Sequence, residues 1–167
     1  MSYSAEQDRL LLRVGTTDKK EYQLMLTRRF VRVLWAALIK VLEKQPDLKR
    51  DLMPKVKKAV MAMEHQKAVS DTDCSRKHKK SYQHLTPCSD PLLLVVGGSV
   101  EPENGGPTRL LLKTQTGSKI KLALNKNLLH ALCKLLIETT MKAGWDLGLT
   151  VGDATSLAAP ADKTQVH

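Results

Sequence analysis

Aromatic side chains are scarce: one Phe, two Trp and three Tyr in 167 residues. Leu, Val and Ala therefore carry the packing, and few rings are left over for stacking on a ligand. Cysteine is nearly absent as well. Cys74, Cys88 and Cys133 make an odd set, and Cys133 lies within an apolar helical pattern. That rules out a disulfide framework and points to a reducing compartment. The polar start MSYSAEQDRL lacks the apolar core of a secretory signal. The longest apolar run, VLWAALI, is far too short to span a bilayer. The expected setting is cytoplasmic, with no membrane contact.

Signatures of catalysis are missing too. There is no glycine-rich phosphate loop, no G-x-S-x-G elbow and no H-E-x-x-H helix. Gly97-Gly98 and Gly105-Gly106 are isolated pairs in turn contexts, Glu43 and Glu138 read as helix-surface groups, and Cys133 reads as core. His65 and His130 read as exposed helix residues. A non-enzymatic protein without a cofactor is expected.

Positive charge is what the chain has in excess, with a formal net charge of +10. Such a balance favours an anionic partner, nucleic acid above all. The excess is concentrated: residues 44–80 hold 11 Lys/Arg against 5 Asp/Glu, whereas the flanks lie closer to neutral.

The second positive feature is a near-repeat. RLLLRV (9–14) and RLLLKT (109–114) are each followed by a turn and a second alternation, EYQLMLT and KIKLALN, and then by an apolar helix. Thr27 and Asn125 occupy equivalent places before those helices, and both are residues that cap free N–H groups. The unit is hairpin, cap, helix, written twice. Duplication is one reading; convergence is the other, because any amphipathic hairpin followed by a helix gives this pattern. One such unit cannot bury its own apolar face, but two can share a sheet. The expected fold is α+β, an antiparallel sheet of about five strands with helices on one face.

Between the units, Asp47 to about Ala68 is a basic amphipathic stretch, with Pro54 placed to open a new helix. Residues 69–91 are polar and loop-like. LLLVVGGSV (92–100) is a strand whose continuous apolar run predicts burial on both faces, and Gly144 ends the last helix. The segments read as 1–44 (first hairpin–helix), 45–91 (basic segment and loop), 92–149 (second hairpin–helix, packed with the first as one domain) and 150–167 (a loose tail).

Three groups of residues carry the functional expectations. Arg28, Arg29 and Arg32 crowd the first turn of the first helix, where cations oppose the helix dipole and an anion, or a nearby Asp or Glu, would compensate them. Lys55, Lys57 and Lys58, with the run Arg76, Lys77, Lys79, Lys80 and Tyr82, suit a phosphate backbone and one stacking contact. The helix Phe30–Leu42 is apolar nearly all round, so Phe30, Leu34, Trp35 and Leu38 are candidates for contact with another copy or a partner protein. Cys74, His78, His84 and Cys88 come nearest to a zinc set, as C-x3-H-x5-H-x3-C. That spacing matches no common finger, a polar loop explains it equally well, and no metal site is assigned.

The order hairpin-then-helix is similar to that of PUR-repeat and Whirly-type single-strand binders. Those proteins rely on exposed sheet aromatics, and this sheet offers little beyond Tyr22, so no membership follows. The expected function is a basic accessory protein that binds nucleic acid, DNA or RNA, as a subunit of a nucleoprotein complex. The alternative is an assembly subunit or homodimer without nucleic-acid contact.

Overall fold

A computed structural model describes residues 1–15, 21–44, 52–71, 92–103 and 106–152. The strands are β1 (Ser2–Ser4), β2 (Arg9–Gly15), β3 (Glu21–Leu26), β4 (Leu93–Glu101), β5 (Thr108–Thr114) and β6 (Lys119–Leu124). The helices are α1 (Arg28–Leu42), α2 (Pro54–Asp71) and α3 (Lys126–Lys142). All six strands form one sheet in chain order. Neighbours run antiparallel except β3 and β4, which pair in parallel at Leu24–Leu93 and Met25–Leu94.

The fold is the expected α+β class, but the sheet has six strands rather than about five, and it is mixed rather than antiparallel. Both differences have simple causes. β1 is three polar or half-buried residues, SYS, with no apolar alternation to announce it. The parallel pair follows from the connection, since α1 and α2 lie between β3 and β4 and return the chain to the end where β3 began.

Strand alternation assigns the two faces. Leu10, Leu12, Leu24, Leu26, Val95, Leu110, Leu112 and Ile120 point inward and join Val31, Leu34, Leu38, Leu129, Cys133 and Leu136 of the helices in one core. Thr27 caps α1, its Oγ1 accepting from Phe30 N–H at 3.0 Å. Asn125 caps α3, its Oδ1 accepting from Leu128 N–H at 2.8 Å. Gly144 stops α3 in the left-handed conformation, φ +64°. α2 begins at Pro54, as the proline predicted.

α3, 17 residues and so about 25 Å long, touches β6 at one end of the sheet and β1 at the other. Its far end is fixed by an acid. Trp145 Nε1–H donates to Asp8 Oδ1 at 2.7 Å, and the Tyr3 hydroxyl donates to the same oxygen at 2.9 Å. α2 packs on α3. The segment after α3 closes onto α2, with Leu149 and Val151 buried and Gly152 against the Lys58 carbonyl. Packed structure therefore continues to residue 152, three residues into the expected tail.

Candidate nucleic-acid interface

The outward face of the sheet is covered by no described element. β4 shows this most directly. Its apolar run predicted burial on both faces, yet Val96 is 59% exposed. A bulge at Val95–Gly97 puts Val96 and Gly97 on the outer side together. Hydrophobic continuity here marks a central strand, not a doubly covered one.

Alternation sorts charge onto that outer face. It carries Arg9 and Arg13 from β2, Arg109 and Lys113 from β5, and Lys119 and Lys121 from β6, against Glu21 and Glu101. Arg109 is paired with Glu103. The three lysines are not paired with any acid among the described residues. Lys113 sits directly opposite Lys119 in the β5–β6 register, and Lys121 lies diagonally next to Lys113, opposite Leu111. Like charges facing each other across an antiparallel pair destabilise it. Three ammonium groups on one patch, none paired with a described acid, form a ready counter-surface for phosphate.

A second basic surface runs along α1. The helix is amphipathic rather than apolar all round: Phe30, Val31, Leu34, Leu38, Val41 and Leu42 are buried, whereas Arg29, Arg32, Ala36 and Lys40 are exposed in one row beside Val33. No acidic residue interrupts the helix itself. Arg28 is compensated from within the fold. Its guanidinium lies 5.3 Å from the centroid of the Trp145 ring, close to the Asp8 carboxylate. The hydrogen bond from Trp145 and then that from Tyr3 hold Asp8 below the ordinary carboxyl value, with the Arg28 charge assisting. Arg28 thus found the nearby acid that a crowded helix start needs, and Arg29 and Arg32 remain outward-facing without an ion-pair partner among the described residues.

The other expected site residues fall as follows. Lys55 and Lys58 are exposed on α2 and Lys57 is half-buried there. Arg76, Lys77, Lys79, Lys80 and Tyr82 lie outside the described residues, as do Cys74, His78, His84 and Cys88. Phe30, Leu34 and Leu38 are committed to the chain's own core, with Trp35 partly buried against it. Phe30, Leu34 and Leu38 are therefore taken up by the chain's own packing, whereas Trp35 keeps part of its surface open. Tyr22 shares the inward parity of Leu24 and Leu26 and packs on the core, which widens the departure from binders that use sheet aromatics. The lysine patch escapes a reading of the sequence because net charge averages over both faces of a hairpin.

His130 departs from its sequence reading. It is 1% exposed, not on the polar side of α3, and its Nδ1 lies 3.0 Å from Nδ1 of His65 on α2. One ring donates and the other accepts. The Nε2 of His130 is buried with no partner among the described residues. Burial, with the charges of His65 and Lys126, pushes the His130 imidazole down to about 4. Lys126 reaches Glu64 at 2.6 Å, tying the same two helices. Cys133 is fully buried and its thiol is pushed up to about 12, so it stays protonated and unreactive. Among the described residues no three His, Cys, Asp or Glu side chains cluster as metal ligands would, and no helix is long and apolar enough to cross a membrane. No family model, no curated protein and no solved structure matches the chain.

Proposed function

We propose that this chain is a non-enzymatic accessory protein that binds nucleic acid through its basic surfaces, as a subunit of a nucleoprotein complex. The observation that carries the reading is Lys113 facing Lys119, with Lys121 beside them, on a sheet face that no described element covers. Folding alone gives no reason to oppose two ammonium groups, whereas a polyanion that bridges them gains counterion release and removes their repulsion. The row Arg29, Arg32 and Lys40 on α1 adds a second stretch of exposed positive charge.

The test is an anisotropy titration of the full chain with labelled single- and double-stranded oligonucleotides across a salt series. Affinity is expected at low ionic strength and falls linearly on a log–log plot against salt. A chain that binds neither form at about 20 mM salt, where screening is weak, is not a nucleic-acid-binding protein.

A further inference from the structure

The outer sheet face is divided in a way that favours one form of nucleic acid. Its cations lie on two borders, Arg9 and Arg13 on β2 and Arg109 (paired with Glu103), Lys113, Lys119 and Lys121 on β5 and β6. Between them β3 and β4 present a lane without positive charge: Gln23, Met25, Leu94, Val96, Gly97 and Ser99. Leu11, opposite Met25, and Leu111, opposite Ser99, extend its apolar part sideways. The two carboxylates of the face, Glu21 and Glu101, stand at the start of β3 and the end of β4. Because those strands are parallel, the acids mark opposite ends of the lane. β2 and β5 are three strand spacings apart, so the borders are separated by about 14 Å.

We propose that a single strand of nucleic acid lies on this face, its phosphates on the Lys113–Lys119–Lys121 border and its bases over Met25, Leu94, Val96 and Leu111. The inference rests on the nucleic-acid reading above and deepens it. The charge complementarity is specific to an unpaired strand. A duplex offers phosphates and groove edges but no base faces, so it would cover the apolar lane without rewarding it. An unpaired strand has both a charged edge and apolar faces, matching a lysine border beside an apolar lane. Aliphatic side chains replace the usual rings, so contact is by apolar burial without aromatic stacking and has little base preference. Gly97 at the bulge adds no side chain and leaves room beside Val96.

The test uses the full chain with labelled dT and U oligonucleotides and a duplex of the same length. Lys113→Gln/Lys119→Gln/Lys121→Gln removes the border, Met25→Gln/Val96→Thr changes the lane without changing charge, and Arg29→Gln/Arg32→Gln/Lys40→Gln is the control on α1. At low salt the wild-type chain binds a single strand, DNA or RNA, at least about tenfold tighter than duplex. The lysine variant lowers the log–log salt slope by about 2, since each single-strand phosphate contact contributes about 0.7. The lane variant weakens single-strand binding several-fold with an unchanged slope, and the α1 variant moves the slope less than the lysine variant does. Thermal melting checks that each variant is folded. Duplex binding as tight as single-strand binding, or a lysine variant with the wild-type slope, overturns this placement while nucleic-acid binding stands. Absence of binding to every form overturns both.

Discussion

His130 shows how one residue couples burial to pH. Its ring meets His65 between α2 and α3, and no arrangement of protons on the two facing Nδ1 atoms allows both rings to be charged. The surrounding charges are Glu64 on α2 and Lys126 and Lys134 on α3, so two cations and one acid face the pair. The folded value of about 4 lies below the ordinary 6.5. The unfolded chain therefore takes up a proton first as pH falls, and stability declines from about pH 6.5 to about pH 4 and levels below that. The full loss is about 3 kcal/mol, because each tenfold difference in proton affinity between the two states is worth about 1.4 kcal/mol. Urea midpoints measured from pH 7.5 to 4.5 should decline for the native chain, and His130→Leu should flatten the slope. A native midpoint constant over that range would show that His130 takes up its proton in the folded chain as readily as in the unfolded one, and that burial does not hold it low. Asp8, held low by Trp145 and Tyr3, gives stability that is present above the ordinary carboxyl value and lost as pH falls below it, so the two effects separate.

At the scale of elements, most of the framework was legible because local chemistry decided it. Thr27 and Asn125 cap, Pro54 opens α2, Gly144 closes α3, and two hairpins alternate strictly. What escaped was set by tertiary contact. β1 is too short and polar to signal itself, and His130 looks like a surface residue until α2 packs over α3. The open side of β4 depends on where helices are absent. The segment after α3 belongs to this second class, and its attachment can be tested by paired substitutions. Gly144 and Gly152 both have positive φ, +64° and +70°. A Cβ at Gly144 meets nothing within 4 Å, whereas one at Gly152 would lie 2.2 Å from the Lys58 carbonyl oxygen and 2.7 Å from the Ala62 nitrogen. Gly144→Ala should cost about 1–2 kcal/mol, the left-handed penalty alone. Gly152→Ala should cost more, because backbone atoms of α2 must move or the segment must detach. Equal costs in urea unfolding would mean that the segment does not rest on α2 in solution.

For the whole molecule, composition told only that the chain is basic; the sheet decided where the charge is spent. Residues 44–80 hold the largest local excess, but β5 and β6, in a stretch near neutrality overall, hold a lysine cluster with no acid paired to it among the described residues. Summed charge cannot reveal that, since alternation sends the lysines outward and the leucines inward. The consequence is a pair of opposite salt effects from the same side chains. A net charge of +10 works against compactness. The ion pairs seen among the described residues, Arg109–Glu103, Lys126–Glu64 and Lys134–Glu138, involve exposed or half-exposed groups and offset little of it. Screening at 0.1 M salt confines repulsion to about 10 Å. The melting temperature should therefore rise as sodium chloride increases from about 20 to 200 mM, over the range in which screening tightens, while affinity for nucleic acid falls. Lys113→Gln/Lys119→Gln/Lys121→Gln should weaken both responses, because it removes the repulsion and the phosphate contacts together. A melting temperature that drops with salt would mean that attractive pairs outweigh the repulsion, and Lys113 and Lys119 would then cost the free chain nothing for a polyanion to relieve.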